Sequence, residues 1–191
     1  MTTSMRKETV KTTKTDLYRV MVTGHRPQEI GGYQVPNPTE QWIRLNLRNL
    51  LGGLLARHGA SLRAVTGMAI GVDMIYAEEA LSLGIPIWAA LPIATQESRW
   101  PDSSKERYRD VLRQAERVVQ VWEEEGYAAP SLLVAYLLRN QWMLDNSEGA
   151  LAVWNGKEKG GTYDAVKRLR KAGRKFVHLD PVKGTVKVLA A

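Results

Sequence analysis

The 191-residue sequence contains no cysteine. Disulfides, thiolate metal sites and thiol nucleophiles are therefore excluded. Its three histidines, His25, His58 and His178, are isolated, with neither an H-x-x-x-H nor an H-E-x-x-H pair, so no metal is expected. No apolar run is long enough to cross a bilayer, and the start "MTTSMRKETVKTTKT" lacks the apolar stretch of a signal peptide. The expectation is a cytoplasmic protein with no membrane partner. A Walker lysine, a G-x-G-x-x-G run and a G-x-S-x-G elbow are all missing, and no cofactor is expected. Acidic residues are also scarce: 20 Asp and Glu stand against 27 Lys and Arg, a formal net charge of +7.

That excess is concentrated. Residues 1–15 carry Arg6, Lys7, Lys11 and Lys14 against Glu8, and residues 156–175 carry eight Lys and Arg against Glu158 and Asp164. A basic surface favours anionic partners, nucleotides or nucleic acid; a solvated basic face is the plainer alternative. Residues 1–15, rich in Thr and Lys, read as a disordered basic arm. Residues 16–191 read as one domain, a length that buries a substantial core.

Along the domain, short apolar runs alternate with amphipathic ones. "LYRVMVTG" reads as a strand ending at Gly24, followed by a long Pro- and Gly-rich loop. Thr39 is expected to cap a helix bearing Trp42, Ile43, Leu47 and Leu51. "SLRAVTG" is the second strand and "GVDMIYAEEALSLG" a helix closed by Gly84. "IPIWAALP" and "RVVQVW" are strands three and four, with a helix over Ser104–Arg113 between them; "EEEGYAAP" is a turn. Ser131–Asn146 is a helix, "GALAVWNG" strand five and Gly161–Ala172 a helix; "KFVHLDP" and "TVKVLA" are closing strands. This alternation predicts an α/β fold, a single Rossmann-like domain with a mostly parallel sheet and helices on both faces.

In such sheets ligands sit beyond the carboxyl ends of the strands. Four polar clusters fall there: Thr23, Gly24, His25 and Arg26 after strand one; Gly67, Met68, Gly71 and Asp73 after strand two; Gln96 and Trp100 after strand three; Asn155, Gly160, Gly161 and Thr162 after strand five. The Gly67/Gly71 pair suits either a phosphate cradle or a tight strand-to-helix turn, and "GGT" repeats the choice at a second helix start. Asp73 suits a ribose hydroxyl or the helix dipole. Arg26 suits an anion clamp. Arg139, with Asn140 and Asp145 in or near the same helix, invites a carboxylate or a ligand. Trp100 and Tyr108 suit base stacking or the core.

Taken together, "TGHRP", "TGMAIGVD", "ALPIATQESRWP", "LLRNQWMLDNS" and "AVWNGKEKGGT" resemble, in order and spacing, the YpsA-like family of the SLOG superfamily. That superfamily also holds the DNA-processing protein DprA and the LOG phosphoribohydrolases. The resemblance spans about Leu17 to Pro181. It implies a nucleotide or nucleotide-derived ligand at the strand ends, bound by residues of these motifs, with a sensor role as one form of that function and a homodimer as the assembly. Two alternatives come with it: nucleotide N-glycosidic hydrolysis, and single-stranded nucleic-acid binding of the DprA kind. In the hydrolase branch a P-G-G-x-G-T-x-x-E run and an upstream Arg are catalytic. Arg139 matches that Arg, but the Glu position falls on Ala165. Asp164 lies one residue early, some 100° around a helix.

Overall fold

The computed structural model describes residues 17–126 and 131–190. The expected arm, residues 1–15, lies outside them, as does the end of the "EEEGYAAP" turn.

Seven strands form one sheet: β1 (Tyr18–Gly24), β2 (Leu62–Thr66), β3 (Ile87–Leu91), β4 (Arg117–Gln120), β5 (Gly149–Val153), β6 (Phe176–Asp180) and β7 (Thr185–Leu189). Six helices connect them: α1 (Pro38–His58), α2 (Val72–Ser82), α3 (Asp102–Gln114), α4 (Val121–Glu124), α5 (Leu132–Asp145) and α6 (Gly160–Lys171). The strand order is β4-β3-β2-β1-β5-β6-β7. The first six strands are parallel, and β7 runs antiparallel to β6. The chain steps outward from β1 to β4, and α5 then carries it back to β5 on the other side of β1. The winding thus reverses between β1 and β5, whose Gly24 and Val153 lie side by side.

Side-chain alternation along the strands builds the two layers. Val20 and Val22 of β1 join Ile43 and Leu47 of α1, Ile75 and Tyr76 of α2 and Tyr108 of α3 on one face. Met21, between the two valines, joins Val121 of α4, Trp142 and Met143 of α5 and Val166 and Leu169 of α6 on the other. Two buried hydrophobic faces require helices on both sides, which is the expected architecture.

Some boundaries differ from the expectation. The cap of α1 is Asn37, not Thr39: its side chain accepts from Glu40 N at 3.0 Å and donates to Ile30 O at 3.0 Å. Pro38 then takes the first helical position, where a missing N–H is harmless. Strand four stops at Gln120, because Val121 turns into α4 and packs into the core beneath it. Helix α3 starts at Asp102, directly after Pro101.

Candidate ligand site at the sheet switch point

A cavity of about 710 Å³ opens over the junction of β1 and β5. This is the size of a small-molecule site. Its floor is the end of β1, with Thr23, Gly24, His25 and Arg26. One wall is α5, with Leu133, Tyr136, Leu137, Arg139 and Asn140. Beside it are Lys157, Lys159 and the start of α6, with Gly160, Gly161, Thr162 and Asp164; Gln28, Glu29, Ala69 and Asp73 also line it.

The two glycine-marked helix starts differ. At α2, Val72 N donates to the carbonyl of His25 at 3.1 Å, and the Asp73 carboxylate accepts from Ala69 N at 3.3 Å. This N-terminus is already supplied with an internal anion. Gly71 has φ +105°, and a Cβ there would meet the His25 carbonyl and come within 2.9 Å of Arg26 Cα. A Cβ on Gly67 would lie 2.5 Å from Cζ of Arg139. The pair therefore permits two close approaches: α2 onto the loop after β1, and a guanidinium onto the loop after β2. Residue 68 between them is left-handed, with Met68 at φ 54°. Met68 is held by Thr66 Oγ1, which accepts from its N–H at 3.1 Å, and by Gln96, which donates to its carbonyl at 3.0 Å.

At α6 no side chain caps the helix and its first turn holds no acidic residue. Gly160, Gly161 and Thr162 of this start line the cavity with Lys157 and Lys159, and the first N–H groups of a helix lack intrahelical partners. Lys157 is paired with Glu29 at 2.7 Å across the cavity mouth, and Asn155 Nδ2 donates to the same carboxylate at 3.1 Å.

Arg139 is buried. It donates to Gly67 O at 2.6 Å and to Asn140 Oδ1 at 3.1 Å, and lies 3.9 Å from Asp73 Oδ2. Desolvation pushes the Asp73 carboxyl above its ordinary value against the pull of Arg139, and pushes the Arg139 guanidinium down against that of Asp73. Asn140 in turn donates to Asp164 at 3.2 Å. His25 is buried too. Its Nε2 accepts from Asn155 N at 3.0 Å, joining the loops after β1 and β5, and burial lowers its pKa. An acceptor Nε2 places the ring proton on Nδ1.

Ten of the residues expected at the site line the cavity: Thr23, Gly24, His25, Arg26, Asp73, Arg139, Asn140, Gly160, Gly161 and Thr162. Gly67, Met68, Gly71, Gln96 and Asn155 support it from behind. Trp100 and Asp145 do not belong to it. Trp100 packs edge-on against buried Tyr108, with ring centroids 5.3 Å apart, and Asp145 is exposed at the far end of α5, bonded to Gln141. Tyr136, Glu29, Lys157 and Asp164 are lining residues that sequence reasoning missed. Tyr136 had a signal: it is three residues before Arg139 on one helix face, and the guanidinium lies 5.6 Å from its ring centroid. The 100° offset of Asp164 from residue 165 carries it toward Asn140 and the cavity, while Ala165 is buried in α6.

Among the described residues no group of three His, Asp or Glu side chains is placed to hold a metal, and no helix is long and apolar enough to cross a membrane.

Known proteins share this framework. A UPF0398 protein of Bacillus pumilus is 26% identical over 146 residues, covering 74% of this chain and 75% of that protein. DNA processing protein A of Streptococcus pneumoniae superposes with a TM-score of 0.57 at 17% identity over 86% of this chain. The chain spans about half of that protein, 50% of its length. DNA processing protein A of Helicobacter pylori, solved for its single-stranded DNA binding mode, superposes at 0.54 with 16% identity, over 84% of this chain and 64% of that one. At these identities the structural likeness establishes the shared fold. The family model described as the YspA SLOG family matches residues 20–180, strand β1 through β6, and the chain belongs to this YpsA family of SLOG proteins.

Proposed function

We propose that the chain binds a nucleotide or nucleotide-derived small molecule in the switch-point cavity, with the ligand's phosphate at the start of α6. The observation that carries this reading is the contrast between the two helix starts. That of α2 is occupied by Asp73, whereas that of α6 is uncapped and flanked by Lys157 and Lys159. Such a terminus suits an anion. The apolar stretch of α5, Leu133, Tyr136 and Leu137, supplies a surface for a base. Arg139 is a positioning residue in this reading. Its guanidinium is committed to Gly67, Asn140 and Asp73, and no reaction step is needed from it. A sensor role requires binding alone.

The test is thermal unfolding with a panel of nucleotides. A ligand at a hundred times its Kd adds about 2.7 kcal/mol, about 5–10 °C for a domain of this size. Lys159→Glu should abolish that shift. Flat melting curves across the panel refute the reading.

A second reading, single-stranded nucleic-acid binding, is favoured by the outer face of α6, where exposed Lys167, Arg170 and Lys171 lie together, and by the likeness to the Helicobacter pylori protein. It requires oligonucleotide affinity that falls steeply with salt. Unchanged oligonucleotide mobility at low salt removes it.

A further inference from the structure

The α6 wall carries a carboxylate that the binding reading above has not used. Asp164 Oδ2 takes both of its protein hydrogen bonds, from Asn140 Nδ2 at 3.2 Å and from Arg168 Nε at 2.8 Å. Among the described residues, Oδ1 accepts none. The side chain lines the cavity and is 23% exposed. Its orientation is fixed from behind: Arg139 Nε donates to Asn140 Oδ1, which turns the amide so that Nδ2 meets Asp164. A carboxylate held by one oxygen, on a side chain that lines a cavity, has an acceptor free for a donor.

Asp164 stands four residues after Gly160, so the two share a helix face about 6 Å apart along the axis. One wall therefore offers N–H donors at the helix start and an acceptor-only carboxylate one turn along it. The phosphate and the ring hydroxyls of one pentose are separated by a similar span. A second phosphate at the level of the carboxylate would face a like charge in a partly desolvated site, which is strongly unfavourable.

We propose that Asp164 reads the sugar of the ligand. It accepts hydrogen bonds from the free 2′- and 3′-hydroxyls of a 5′-phosphorylated ribose and rejects a sugar whose hydroxyl carries a phosphate. The cavity then takes a ribonucleotide-type small molecule and excludes an internal nucleotide of a DNA or RNA strand. This rests on the phosphate being seated at α6.

The experiment is calorimetric titration of the full chain with AMP, 2′-deoxy-AMP, adenosine 3′,5′-bisphosphate and ribose 5-phosphate. The wild type should bind AMP about tenfold tighter than 2′-deoxy-AMP, the loss expected for a hydrogen bond to a charged group, and should not bind the bisphosphate. Asp164→Asn should shrink the AMP preference to about threefold or less and admit the bisphosphate. Arg168→Gln breaks the ion pair without touching Oδ1, so the preference should survive, which separates sugar reading from a merely structural carboxylate. Equal binding of AMP and 2′-deoxy-AMP by the wild type, or an unchanged preference in a folded Asp164→Asn protein, overturns the proposal. No saturable binding of AMP or ribose 5-phosphate overturns the phosphate reading itself, and the proposal with it.

Discussion

Gly67→Ala should be among the most damaging single-methyl additions in the fold, through Arg139. The added Cβ would lie 2.5 Å from Cζ and 2.8 Å from Cδ of that side chain, inside any real carbon contact. An arginine in solvent would swing away at little cost. This one is buried, with 10% side-chain exposure, and is committed to three partners: Gly67 O at 2.6 Å, Asn140 Oδ1 at 3.1 Å and Asp73 at 3.9 Å. Moving it breaks a hydrogen bond to a charged donor, about 1.5–3 kcal/mol, and weakens the compensation of the buried Asp73. Removing that partner outright would cost about 3–5 kcal/mol. The expected destabilisation is about 3 kcal/mol, or about 6–12 °C in melting temperature. The assay is urea unfolding, read as a lowered midpoint at unchanged slope. A double-mutant cycle isolates the cause: in an Arg139→Ala background the same glycine substitution should cost about 1 kcal/mol or less. Arg139→Ala itself should be destabilised, since it leaves Asp73 buried and unpaired. If Gly67→Ala lies within about 0.5 kcal/mol of the parent, or costs as much without Arg139, the close-approach account is wrong.

Asn37→Ala should cost about 1–2 kcal/mol, because it removes the cap of α1 and the bond that holds Ile30 O at the end of the preceding loop; the melting temperature reads this directly. The burial of His25 gives a pH dependence with a definite sign. Its folded pKa is lowered from 6.5, so above that value both states are neutral and the full stability is present. As the pH falls below it, the unfolded chain takes up a proton that the folded chain refuses, and stability declines until the lowered folded value is reached. Urea midpoints measured from about pH 7.5 to 5.5 should drop for the parent and change less for His25→Gln; parallel curves would show that His25 is not the group responsible.

The fold was legible because its signals are local and repeated. Most of the parallel strands are apolar runs closed by Gly or Pro, and the longer helices carry recurrent apolar positions, so element type and order follow from periodicity. Boundaries failed where a side chain outcompeted the pattern. The Thr39 signal was sound as a residue type, but Asn37 reaches both Glu40 N and Ile30 O, and Pro38 fits only after it. The site was legible as a set of loops, because a parallel sheet delivers every strand-end loop to one edge. What each loop does there was not, because it depends on partners far away in sequence.

The Gly67/Gly71 turn shows this best. Within its own ten residues a phosphate cradle and a plain turn are indistinguishable. The decision belongs to Arg139, which occupies the space that a side chain at 67 would need, and to Asp73, which fills the helix start with the protein's own negative charge. A ligand anion directed there would meet a carboxylate. The start of α6 has the same glycine signature, yet Lys159 leaves it uncapped and no acid follows in its first turn. Two similar motifs on one sheet edge thus differ through the residues that meet them. One ties the scaffold together, and the other is left uncapped, where the proposed function seats a phosphate.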